Sequence, residues 1–149
     1  MAKFGVTMQR TASATLAVGS LTAAAASMRR AKVYDLIFGC EATANDFAFL
    51  WQVQRCTTAG TASAATMNSL DSADTLATTI VGGQVHTVDP TGTTVLLSVA
   101  VNQRSTFRWV AGPYGELIIP ATASNGIKIE TPTAGALVAI TACACFEEQ

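Results

Sequence analysis

Between residues 31 and 56 the chain reads AKVYDLIFGCEATANDFAFLWQVQRC, and apolar and polar positions alternate on both sides of a polar break. Tyr34, Leu36, Phe38 and Cys40 share one parity, with Asp35 and Glu41 on the other, as in a half-buried strand. Phe47, Phe49, Trp51 and Val53 share a face opposite Gln52 and Gln54. The Thr, Asn and Asp of residues 42–46 suit a short reversal, because their side chains bond neighbouring backbone groups. The pattern predicts a β-hairpin with one aromatic inner face. Such a face needs a cover, and a second sheet is the usual one in a chain without long helices.

The same reading extends along the chain. Residues 95–101, VLLSVAV, form a continuous apolar run bounded by turn residues, the pattern of a strand buried on both sides. Residues 104–110 alternate, with Phe107 and Trp109 facing one way and Thr106 and Arg108 the other. Gly112-Pro113-Tyr114-Gly115 marks a turn, residues 117–119 a short strand stopped by Pro120, and Asn125-Gly126 a tight turn. Residues 127–130 follow, with Ile127 and Ile129 on one side. A reversal at 131–135, a final strand over 137–146 and a polar tail of Glu147, Glu148 and Gln149 complete this half. Asp71 and Asp74, with Ser69 and Ser72, read as a capped turn, and residues 76–81 as a strand ending at Gly82-Gly83. Residues 57–65 read as a flexible or weakly β connection.

The leading segment is harder to assign. A short edge strand is expected around residues 4–7, and residues 24–30 have the composition for a helical turn. The threonines and Gly19 favour an extended arm. Eight or more short strands at regular spacing predict an all-β, antiparallel β-sandwich, jelly-roll-like, with an extended N-terminal arm; an open barrel is the alternative. The division expected is a basic, Ala/Thr-rich arm over residues 1–32 and a single sandwich domain over 33–149.

Composition changes this picture in one respect. Only 13% of residues are charged, against about 25% in a typical soluble domain. The 27 Ala and 21 Thr leave much of the exterior small and neutral, a surface suited to a chain that lives in an assembly. The charge is also unevenly placed. Residues 1–34 carry +5 and residues 35–149 carry −6, for a net −1. Lys3, Arg10, Arg29, Arg30 and Lys32 are therefore the candidate partner-binding residues, directed at an acidic neighbour. They are too widely spaced, and too poor in interleaved aromatics, for nucleic acid. Residues 14–26 contain only Leu16, Val18 and Leu21 as large apolar residues, so a cleaved signal is not expected. No stretch reaches the roughly 20 apolar residues of a membrane helix.

Candidate chemistry is sparse. The single histidine, His86, sits in a loop-like context without a nucleophile elbow, and reads as an exposed loop or interface residue. Asp71, Asp74 and Asp89 lie beside turn residues, where aspartate caps backbone groups rather than forming a glycosidase pair or a calcium loop. Cys143 and Cys145 share a strand face but lack CxxC spacing; with Cys40 and Cys56 they read as buried free thiols of a reducing cytoplasm. No phosphate-cradling glycine motif occurs. Trp51, Trp109, Phe47, Phe49 and Phe107 read as core rather than as a sugar platform, while Tyr114 is the candidate exposed anchor. The expectation is a non-enzymatic protein with no cofactor or metal.

The runs ASMRRAKVYDLIFGCEATANDFAFLWQVQRCTTAGTA, NQRSTFRWVA and GELIIPATASNGI, with the closing strand, resemble small structural proteins of tailed bacteriophages. Within that group the chain looks most like the β-sandwich decoration (cement) proteins that coat capsids, over roughly residues 14–146. The resemblance implies a virion subunit on the capsid exterior, assembled in the host cytoplasm. It would be a homo-oligomer, typically a trimer, bound to the major capsid protein. A head-fibre, neck or tail component with a host-surface or carbohydrate-binding role is the alternative.

Overall fold

The computed structural model describes residues 1–24, 29–74, 78–133 and 138–149. The helical turn weighed for residues 24–30, the start of the strand expected at 76–81 and the end of the reversal at 131–135 fall largely outside these residues. In chain order the strands are β1 (Lys3–Thr11), β2 (Gly19–Ala23), β3 (Ala31–Cys40), β4 (Ala48–Cys56), β5 (Thr61–Ala65) and β6 (Met67–Ser69). They continue with β7 (Ile80–Val88), β8 (Gly92–Asn102), β9 (Phe107–Val110), β10 (Leu117–Ile119), β11 (Gly126–Glu130) and β12 (Ala139–Glu148). Two six-stranded antiparallel sheets result. One runs β10-β3-β12-β1-β6, with β9 sharing the β10 side of β3; the other runs β5-β7-β2-β11-β4-β8.

Alternation explains the packing. On β12, Ile140, Ala142, Ala144, Phe146 and Glu148 are buried while the intervening residues are half-buried. Phe4, Val6 and Met8 of β1 and Leu36 and Phe38 of β3 continue that inner face. Opposite lie Leu21, Phe49, Trp51, Val53, Ile127 and Ile129. The sheets approach closely where β1 crosses β2: a Cβ on Gly19 would fall 2.3 Å from Met8 Sδ. Only a residue without a side chain fits there.

Several sequence expectations are corrected. Residues 31–56 do not form a hairpin, because β3 and β4 lie in different sheets. Each has an apolar face, and facing each other across the core lets each serve as the other's cover. Phe47 is 63% exposed, outside β4. A β-bulge opposite Cys145 and Phe146 breaks the parity of β3, so Tyr34 leaves the inner face that Leu36 and Phe38 keep.

The leading segment is no arm either. β1 lies between β12 and β6, and β2 between β7 and β11. Lone threonines and a glycine in an Ala-rich run lower helix propensity, and here they serve strands rather than an extended tail. Glu147 and Glu148, expected in a tail, end β12. Finally, the apolar run of residues 95–101 lies in β8, at the edge of its sheet rather than in the middle. The twelve described strands exceed the eight of a simple jelly roll.

Candidate functional site

The bases singled out in the sequence do not stand together as a positive surface. Arg10 is half-buried and turns its guanidinium back on its own segment, donating from Nη1 to the Ala17 carbonyl at 2.7 Å and from Nε to the Thr11 carbonyl at 2.9 Å. Burial lowers its pKa, with Asp89 opposing. Lys3 faces Glu147 in the β1–β12 register, and its ammonium lies 5.8 Å from the Tyr34 ring centroid. Lys32 faces Glu147 from β3. Arg29 Nη1 lies 4.0 Å from Glu148 Oε2, and the Arg30 carbonyl accepts from Gln149 N at 2.9 Å. Lys3, Arg29 and Lys32 thus lie beside the C-terminal acids. Part of the basic charge of the leading segment therefore lies beside acids of β12 within the same molecule.

Glu148 is no solvated charge. It is buried, and Oε1 accepts from Thr78 Oγ1 and Thr79 N at 2.6 Å each and from Ile80 N at 3.1 Å. The carboxylate caps the start of β7 from the end of β12.

His86 is buried rather than exposed. Val85 adopts φ 50° beside a register shift between β5 and β7, and the irregularity turns His86 inward while Val85 points out. His86 Nε2 lies 3.0 Å from Ser20 Oγ, and a pocket of about 180 Å³ opens over Ser20, lined also by Thr22, Gly60, Ala62 and Gly83. Burial lowers the His86 pKa, opposed chiefly by Asp89. A neutral imidazole beside a hydroxyl has the form of a catalytic pair, yet the third member is committed elsewhere. Asp89 Oδ1 accepts from Ala17 N at 2.7 Å and Oδ2 from Lys128 Nζ at 2.6 Å. His86 Nδ1 has no hydrogen-bond partner among the described residues. The pair pins β2 to β7.

Lys128 continues this polar seam. Its buried ammonium bridges Asp89 and Glu130, each at 2.6 Å. Burial, the largest effect on its pKa, works against the charge, but the two carboxylates outweigh it and the value is raised. Gln54 bonds Glu130 and also donates to Gln52 Oε1 at 3.1 Å; Gln52 Nε2 in turn lies 3.4 Å from Ser98 Oγ. The ladder ends at β8. Asp71 behaves as expected of a turn cap, Oδ1 accepting from Ala73 N at 2.9 Å.

The thiols are free, but only Cys56 is buried, because Cys143, Cys145 and Cys40 are half-buried. Burial pushes Cys56 up to about 11. Among the described residues no group of three or more His, Cys, Asp or Glu is placed to hold a metal, and no helix is long and apolar enough to cross a membrane. Tyr114 is 98% exposed at φ 62°, on a turn closed by Gly115 N donating to the Gly112 carbonyl at 2.9 Å.

What stands out is the flank where both sheets end. β8 extends eleven residues, and its far side has no strand partner among those described. Its inner side chains Leu97, Val99 and Val101 pair across from Val53, Trp51 and Phe49, and like Phe107 and Trp109 of β9 they are only partly covered. No residue of β8 is charged, and none is proline. Natural edge strands are short, charged, bulged or covered, because a bare one templates pairing. β8 has a bulge near Val53 and Gln54, but from Leu97 to Asn102 its register is regular. Periodicity placed this strand in a sheet interior, and its lack of charge reads the same way, so its edge position was not legible in the sequence.

No protein-family model, curated protein or solved structure matches the chain.

Proposed function

We propose that the protein is a non-enzymatic structural subunit of a tailed-phage virion, a decoration (cement) protein that coats the capsid exterior and stabilises the major capsid protein lattice. The observation that carries this reading is the β8 flank, an uncharged edge strand with half-covered Leu97, Val99, Val101, Phe107 and Trp109. Such an edge is a template for pairing with another polypeptide. The low charge of the whole chain and the resemblance of residues 14–146 to phage coat proteins point the same way. The reading assigns the protein to the virion and its assembly to the host cytoplasm. The test is to count copies per virion by quantitative mass spectrometry and to add purified protein to particles lacking it. Hundreds of copies and saturable binding are expected; a handful of copies, or no binding, defeats the reading.

One observation favours the second reading, a head-fibre, neck or tail component that binds a host surface. Tyr114 stands fully exposed on a tight tip, where an aromatic ring presents a stacking face. Glycan binding abolished by Tyr114→Ala, with few copies per virion, is the result that reading requires.

A further inference from the structure

We propose that β8 is completed by β8 of a second copy of this chain, the two strands pairing antiparallel about a two-fold axis at Val99. This deepens the structural-subunit reading and rests on it.

Three observations select a second copy as the occupant. First, residues 95–101 have the pattern of an interior strand, yet among the described residues β8 has one neighbour, β4. The chain supplies the strand and leaves its other partner to come from outside. Second, the eleven residues GTTVLLSVAVN carry no charge, so nothing along the edge selects a partner of complementary sign or repels an identical strand. Third, the regular part of β8 is self-complementary in the pleat. With Val99 opposite Val99, Leu97 falls opposite Val101 and Ser98 opposite Ala100. Leu97, Val99 and Val101 all face the core side of the sheet, so this register keeps apolar with apolar. Ser98 and Ala100, across from Gln52 and Leu50, keep to the outer side, where two small residues meet without a clash. The pairing fuses two six-stranded sheets into one and buries Leu97, Val99 and Val101 of each copy under the other. The contact is isologous, so it closes at two copies instead of growing into a fibre.

The register supplies its own test. Ser98 and Ala100 are both exposed, so substitution there leaves the core of the single subunit alone. Ser98→Lys with Ala100→Lys sets like charges opposite one another twice across the axis. Ser98→Lys with Ala100→Glu sets opposite charges at the same places. By analytical ultracentrifugation the wild-type chain is expected to contain a dimer, the first double variant to be monomeric, and the second to regain the dimer. Hydrogen exchange should show the unpaired-side amides of β8 protected in the wild type and exposed in the first variant. Equal self-association of the wild type and the Lys/Lys variant overturns the pairing, as does a strict trimer with unprotected β8 amides. So does a monomer whose β8 amides become protected only on the virion, which assigns the edge to a strand of another protein. The two readings fail separately: a β8-paired dimer that binds no capsid sinks the coat reading alone, and a coat protein indifferent to the Lys/Lys change sinks the pairing alone.

Discussion

The ring of Phe38 lies flat on the indole of Trp51, centroids 4.9 Å apart and planes within 5°. One residue belongs to β3 and the other to β4, so this stack joins the two sheets at the centre of the sandwich. Phe107 adds a third ring, 6.1 Å from Phe38, toward the open flank. Phe38→Ala is expected to cost about 3–5 kcal/mol, the usual price of an emptied aromatic site in a core. That is a large part of the roughly 5–15 kcal/mol that holds a domain folded. Urea unfolding checks it, and a loss under 1 kcal/mol means the stack is not central.

Deletion of residues 1–23 is expected to prevent folding. It removes β1 from between β12 and β6 and β2 from between β7 and β11, so both sheets lose an interior strand. A true arm would leave a folded sandwich behind. Circular dichroism and a proton spectrum of the truncated chain decide between the two; a cooperative, dispersed β-protein contradicts the strand assignments.

Removing the Lys128 amine strands two carboxylates in a mostly buried site. Lys128→Ala is expected to destabilise the fold by roughly 3 kcal/mol, the scale for breaking one side of a buried pair. The raised pKa sets the pH dependence. The contribution is complete below the ordinary lysine value of 10.5 and is lost as the pH climbs through the higher folded value. Stability curves of wild type and Lys128→Ala should therefore converge in strong alkali. Parallel curves there would remove Lys128 as the cause.

His86 predicts the opposite limb. Its folded pKa lies below the ordinary 6.5, so the fold prefers the neutral ring. Stability from this group is present above pH 6.5 and lost as the pH falls toward and through the folded value. His86→Gln, which cannot take up a proton, should flatten the slope between about pH 6.5 and 5, where most carboxylates have not yet titrated. An unchanged slope in the variant would assign the acid sensitivity elsewhere.

The strands of this protein are written in its alternation, but their neighbours are not. Phe49, Trp51 and Val53 announce a strand with one apolar face whether that face looks across the core or along a hairpin. Residues 41–47 read equally well as a tight reversal or as a crossing between sheets. The crossing is fixed by long-range ties, with Phe47 O accepting from Gln103 N at 2.8 Å and Asn45 N donating to Gln103 Oε1 at 2.8 Å. β1 was legible only as a short edge strand around residues 4–7, and β2 not at all, because Gln9, Arg10, Ser20 and Thr22 dilute their apolar pattern. Ser20 and Thr22 are buried all the same, Ser20 against His86, which lies distant in sequence. Of the candidate site, Tyr114 was readable from its turn. The grouping of Lys3, Lys32 and Glu147 was not, since it depends on which strands become neighbours.

The position of β12 governs how the molecule is made. It separates β1 from β3, so these two strands cannot be joined in one sheet until more than 120 residues of intervening chain have been synthesised after β1. At about 5–20 residues per second that delay is on the order of ten seconds, during which Phe4, Val6, Met8, Leu36 and Phe38 have no permanent shelter. The last strand made is thus the one that seals the middle of its sheet, and the chain ahead of it stays incompletely sheltered until translation is almost finished.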